Sequence, residues 1–207
     1  MSLVRAEVAG VARPPRRPFL GRIVDRGAIT AAYVGIGMAM TIAVSFLLVI
    51  PIEPVYWLLS MPSGLLIGYY ANARSKRGRG AWGRVTANAV FAGLVTGLTL
   101  AAFLLGVKAL FFAADDGYRD PFLGGRITVE KDDGRPAPCR AGAECVYNRY
   151  LEAQPAELAS AGVSDTASFA TFYWAQQWST AGLLIFLTAV AGLVGGAIYG
   201  VTRPKFG

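Results

Sequence analysis

The chain has 207 residues, 54% of them hydrophobic and only 16% charged, with a mean hydropathy of +0.44. A soluble domain carries about 25% charge, so this composition excludes an ordinary water-soluble fold and calls for a non-aqueous solvent. The formal charge of +7 does not indicate nucleic acid, because the basic residues cluster at the ends of apolar segments and not along one exposed face.

Residues 1–27 form a basic segment, with Arg5, Arg13, Arg16, Arg17, Arg22 and Arg26 against Glu7 and Asp25. Its Arg13-Pro14-Pro15-Arg16-Arg17-Pro18 run reads as extended and solvated, suited to an anionic lipid surface. The apolar stretch that follows is longer than a signal-peptide core and has no small-residue cleavage site. It reads as a retained anchor helix.

Four apolar stretches follow. The first spans about 28–50, uncharged and long enough to cross roughly 30 Å of hydrocarbon at 1.5 Å per residue. Pro51-Ile52-Glu53-Pro54 stops it, and so short a turn sends the next stretch back antiparallel. The second spans about 55–73, with Tyr56 and Trp57 as interfacial anchors at its start and Arg74 at its end. A basic loop, 74–84, leads into the third at about 85–114, broken only by Lys108. Lys108 falls near the outer headgroups, where a snorkelling lysine is expected. Residues 115–173 are polar and acidic, and the fourth stretch spans about 174–201. The segment 202–207 closes the chain with Arg203 and Lys205.

Charge placement implies an orientation. Thirteen Lys and Arg lie in the N-terminal segment, the 74–84 loop and the C-terminus, and the 51–54 turn has none. The 115–173 loop holds six basic residues against ten acidic ones. The positive-inside rule therefore places both termini and the 74–84 loop in the cytoplasm, with 115–173 outside, in a cell membrane of bacterial inner-membrane type. The expected fold class is an all-α integral membrane protein. It is a four-transmembrane-helix bundle of two antiparallel hairpins, with a loop of about 60 residues between the third and fourth helices.

Small residues recur four apart at Ala31, Gly35, Ala39 and Ala43, at Gly64 and Gly68, at Ala89, Gly93 and Gly97, and at Gly192, Gly196 and Gly200. A step of four keeps each set on one helix face, where small residues let backbones approach. Gly27-Ala28-Ile29-Thr30 resembles Gly83-Arg84-Val85-Thr86, and Gly64-Leu65-Leu66-Ile67 recurs at 182–185. Either a duplicated hairpin or low-complexity helices would give such matches. Pro62, in Ser60-Met61-Pro62-Ser63-Gly64, removes a backbone donor within the second stretch and predicts a kink or break there. Asn72 and Asn88 fall near the cytoplasmic ends, placed to bridge helices or meet headgroups.

In the outer loop, Cys139 and Cys145 predict a structural disulfide closing a small ring. A redox-active role would need a second close pair. Residues 126–130 alternate like a strand, 132–134 signal a turn, and 145–147 are expected to return as its partner. Beyond them, Ser164 is placed to cap a helix running on into the fourth stretch. Phe169, Phe172, Tyr173, Trp174 and Trp178 then read as an aromatic belt, with Trp174 and Trp178 as anchors.

The chain contains no histidine, which removes the commonest general base, metal ligand and haem ligand. Two cysteines are too few for a closed thiolate metal site. No carboxylate lies deep in an apolar stretch, as proton-coupled transport generally requires. No nucleophile–base constellation or phosphate-binding glycine loop is present. These residues point to a non-catalytic multi-pass protein with no metal, cofactor or nucleic acid, an accessory or scaffolding subunit partnered by the bilayer and by other membrane subunits. The alternatives are a small uncoupled channel or carrier using a helix broken at Pro62, and an envelope sensor binding a ligand at its outer loop.

Overall fold

The computed structural model describes residues 23–48, 53–75, 81–115, 129–130, 136–137, 139 and 142–202, without the side chains of 45–48, 53–57, 129–130 and 136–137. The basic segment 1–22, the 51–52 part of the first turn, 76–80 of the basic loop, 126–128 of the expected strand, the 132–134 turn and the 203–207 tail lie outside the described residues.

The described chain is helical: α1 (Arg26–Leu48), α2 (Glu53–Ser75), α3 (Trp82–Ala114), α4 (Ala143–Ala153), α5 (Pro155–Ser160) and α6 (Thr166–Thr202). Between α3 and α4 lies one two-residue pairing, β1 (Val129–Glu130) antiparallel to β2 (Pro136–Ala137), with Val129 opposite Ala137. Among the described residues, three helices are long and apolar enough to cross a membrane: Arg26–Val44 of α1, α3 and α6. The bilayer is their natural environment. α2 is also 23 residues long but more polar, carrying Ser60, Ser63, Asn72 and Arg74.

α2 and α3 form the central pair. α1 packs on both of them, and α6 packs on both with larger contacts. The core between α1, α2 and α3 is built from Val24, Ala28, Ala31, Ile67, Ala71 and Ala92. Alanine dominates because the backbones are close. Leu58, Leu66, Leu98, Phe186 and Val194 point outward, which is costly in water and neutral in lipid.

At 1.5 Å per residue the 37 residues of α6 reach about 55 Å, well beyond a hydrocarbon core of roughly 30 Å. Its first turns carry α4 and α5 as a cap. The helix expected to run from a cap at Ser164 into the fourth stretch begins at Thr166. The reason is a reciprocal cap at Asp165, one residue after the expected Ser164. Ser168 N–H donates to Asp165 Oδ1 at 2.7 Å, while Asp165 N–H donates to Ser168 Oγ at 3.2 Å. The pattern is a capping box with serine as its returning partner.

A second correction concerns 145–147. These residues belong to α4, not to a strand, and the partner of β1 is β2. Val146 and Tyr150 lie one helical turn apart and face Phe169 and Tyr173 of α6. Burial of that stripe outweighs the β-preference of a Val-Tyr pair.

Candidate functional site

Polar groups gather in two places, a junction at one end of the bundle and the cap at the other. The junction joins three helices. Asp25 precedes α1 and accepts the first helical amides, Ala28 N–H at 3.0 Å and Ile29 N–H at 3.3 Å, on its carbonyl. Its own N–H donates to Asn88 Oδ1 at 2.9 Å, and Asn88 Nδ2 donates back to Asp25 Oδ2 at 2.9 Å. Asn88 Nδ2 also lies 3.3 Å from Ser75 Oγ. Asn72 Nδ2 donates to Gly68 O in its own helix and to Val85 O of α3, at 3.0 and 3.1 Å. Asn72 and Asn88 are fully buried, so these bonds replace water that the site excludes. The two asparagines bridge helices.

In the middle of the bundle, glycine brings backbones together. A Cβ on Gly64 would stand 2.5 Å from Thr188 O, and one on Gly68 would collide with the backbone of Gly192. Gly93 and Gly97 lie against Thr188 and Ile185 of α6. A Cβ on Gly35 would collide with the Thr96 side chain. Gly192 faces Ala89 and Gly93, Gly196 faces Ala89 and Asn72, and Gly200 lies under the Trp82 ring. The matched halves of the sequence repeat are not equivalent: Gly27 and Gly64 are packed tightly, whereas Gly83 and Gly182 face open space.

Thr96 and Thr188 are completely buried, and each hydroxyl donates to the carbonyl four residues earlier, Ala92 O at 2.9 Å and Leu184 O at 2.7 Å. Ser63 Oγ similarly donates to Ser60 O at 2.9 Å. α2 runs through Pro62 without interruption, so the helix is not broken there.

The cap is assembled differently. Cys139 and Cys145 are joined in a disulfide, whose ring contributes about 2 kcal/mol on loop-entropy grounds. Arg149 Nη2 meets Asp115 Oδ1 at 2.8 Å, and Gly142 N–H donates to Asp115 O at 2.8 Å. One residue at the end of α3 thus holds both ends of the first turns of α4. Gly142 has φ of 97°, a conformation that glycine adopts at little cost.

Val146, Leu158, Phe169 and Tyr173 are the buried centre of the cap, with Phe112, Tyr147, Tyr150 and Trp174 around them. The rings of Phe112 and Tyr173 meet at 4.9 Å between centroids and those of Tyr150 and Phe169 at 5.1 Å, both pairs tilted. Phe169 and Tyr173 are therefore core residues rather than part of a lipid-facing belt. Trp174 rests on Phe112 at 5.5 Å. Trp178 is 65% exposed, and Lys108 lies partly buried within the last two turns of α3. The side chains of Tyr56 and Trp57 fall outside those described.

Sequence reasoning missed four residues. Asp25 was assigned to the basic tail, although an Asp just before an apolar run is a helix-start signal. Phe112 was read only as part of an apolar run. The Asp115–Arg149 pair, 34 residues apart, had no local signal. Asp165 is held below its ordinary value, first by the Ser168 amide and then by the Ser168 hydroxyl. Among the described residues no three of His, Cys, Asp or Glu stand where they would hold a metal ion.

The chain matches no protein-family model, no curated protein and no solved structure.

Proposed function

We propose that this chain is a non-catalytic scaffolding or accessory subunit of a larger membrane assembly. α1, α2, α3 and α6 all span the bilayer, both termini and the 74–84 loop are cytoplasmic, and the cap projects outside, in a membrane of bacterial inner-membrane type. The observation that carries this reading is the contrast between a bundle interior filled by its own backbones and a separately built outer cap. Where a conduit would run, Gly64, Gly93 and Gly97 lie against Thr188 and Ile185. α2 is continuous at Pro62, which weighs against a carrier working through a broken helix. The cap, by contrast, is packed on α6 by an aromatic core, tied to the end of α3 by an ion pair and closed on itself by a disulfide. That is how a rigid outward surface for another protein is made.

Extraction in mild detergent followed by native mass measurement tests the proposal. A complex heavier than the 21.9 kDa chain, in stoichiometric ratio with another membrane protein, is expected. A lone monodisperse monomer, obtained also after cross-linking in intact membranes, would retire the idea.

A further inference from the structure

The two sulfurs of the Cys139–Cys145 bond stand in unlike surroundings. Cys139 is partly exposed, whereas Cys145 is completely buried. An incoming thiolate therefore reaches the bond from the Cys139 side. Attack on one sulfur of a disulfide expels the other, and the reaction runs faster the better the leaving thiolate is stabilised. The sulfur that leaves is then Cys145 Sγ.

Its surroundings favour negative charge there. Cys145 is the third residue of α4, whose N-cap is Gly142, so no side chain closes the first-turn amides. The positive end of the helix dipole acts on Cys145 directly. Glu144 in the same turn is exposed, and water screens its charge. Arg149 lies one turn further along the same face and is engaged only in part by Asp115. Its Nη2 makes the ion pair at 2.8 Å, while its Nε is buried with no hydrogen-bond partner among the described residues. An orphaned buried donor is costly, and a thiolate one turn earlier supplies an acceptor for it.

The bond is also one that the cap can lose and recover. It spans only six positions, and short rings gain least from chain entropy. Without it, α4 is still held by Val146 and Tyr150 in the aromatic core and by Asp115 on Arg149 and Gly142. Cys145 therefore stays in place to close the ring again.

We infer that this disulfide is a site of reversible thiol–disulfide exchange whose substrate is an external dithiol. One thiolate of the dithiol attacks Cys139 Sγ, the S–S bond breaks, and Cys145 leaves as a thiolate with the bonding pair. The second thiolate of the dithiol attacks the dithiol's own sulfur in the mixed disulfide, and Cys139 leaves with that pair. The dithiol is oxidised to a disulfide, and its two protons end on Cys139 and Cys145. The second thiol pair that the chain lacks is thus brought by the substrate. Arg149 is a positioning residue, acting through Cys145.

The full chain in detergent is treated briefly with glutathione as a monothiol probe, quenched in acid, and the adduct is mapped by peptide mass. It should lie on Cys139 over Cys145 by about tenfold or more, as attack from the open side requires. Cleavage rates are then measured with dithiothreitol. Arg149→Gln should slow cleavage by about threefold, the size expected of one partly exposed charge, and Arg149→Lys should restore most of it. A merely structural Arg149 predicts the opposite sign, because a loosened α4 exposes the bond. Should Arg149→Gln lose the fold of the cap, the exposed Glu144→Gln reads the same effect in reverse, with cleavage about twofold faster. An adduct shared equally or found mainly on Cys145, a bond that resists dithiothreitol in the folded chain, or a folded variant whose rate is unchanged or moves the other way overturns the inference. None of these results depends on which side of the membrane the cap faces or on whether the chain has protein partners.

Discussion

The bundle and the cap are parts of one chain that solve packing by opposite means. In the bundle the closest contacts are backbone on backbone, through Gly68 against Gly192 and Gly195 against Leu65. Its buried hydroxyls on Thr96 and Thr188 are satisfied within their own helices. In the cap the contacts are large rings, Phe112, Tyr150, Phe169 and Tyr173, tied down by a disulfide and an ion pair. The solvent explains the difference. Lipid tails are as apolar as leucine, so burying a side chain gains little there and helices associate by close fit. Where a chain meets water the hydrophobic effect returns and large aromatic area again becomes a source of stability, and the topology proposed above puts the cap there.

That contrast is best broken at Phe169, which is completely buried. Phe169→Ala should destabilise the cap by about 3–5 kcal/mol. Hydrogen exchange and proteolysis of 142–165 should rise steeply while the lower bundle stays protected. A uniform loss of protection would mean that cap and bundle fold as one unit. Gly68→Val probes the other mode. A side chain there must displace the Gly192 backbone, so a loss of about 1–3 kcal/mol is expected in detergent unfolding. Gly182→Ala, whose Cβ meets nothing, should be neutral or slightly stabilising. Equal effects at the two glycines would sink the close-fit argument.

Asn88→Ala tests the junction. It removes the donor to Asp25 and Ser75 and should cost about 1 kcal/mol, typical of interhelical hydrogen bonds in membranes. Protection should fall first at the start of α1. The smallest effect is at Asp165. Its carboxylate is favoured by the Ser168 amide in the folded state, so the cap contributes above the ordinary carboxylate pKa and is lost as pH falls through the lowered value. The protection of the Ser168 amide relative to its intrinsic exchange rate should hold at neutral pH and fall only in acid, and Asp165→Ala should remove that pH dependence.

Much of the architecture was legible in the primary structure because hydropathy and small-residue spacing are local. Helix ends predicted at 28, 55 and 85 came within three residues of Arg26, Glu53 and Trp82. The eight glycines chosen on a step of four all lie against another helix. The Cys139–Cys145 pair, the only two cysteines in the chain, left one pairing to consider. Less legible was the outer region, where helical and strand patterns compete over short windows. Val146 and Tyr147 suit a strand by preference, and only Phe169 and Tyr173 arriving from α6 make them helical.

Periodicity, hydropathy and the spacing of glycines thus carried the helical, apolar character of the chain, since each is written within a few consecutive residues. Tertiary contact alone decided that Asp25 closes on Asn88, 63 positions away, that Asp115 holds Arg149, and that two of the expected belt aromatics became a core. Those outcomes depend on which segments the returning helices bring together, and no local pattern encodes that.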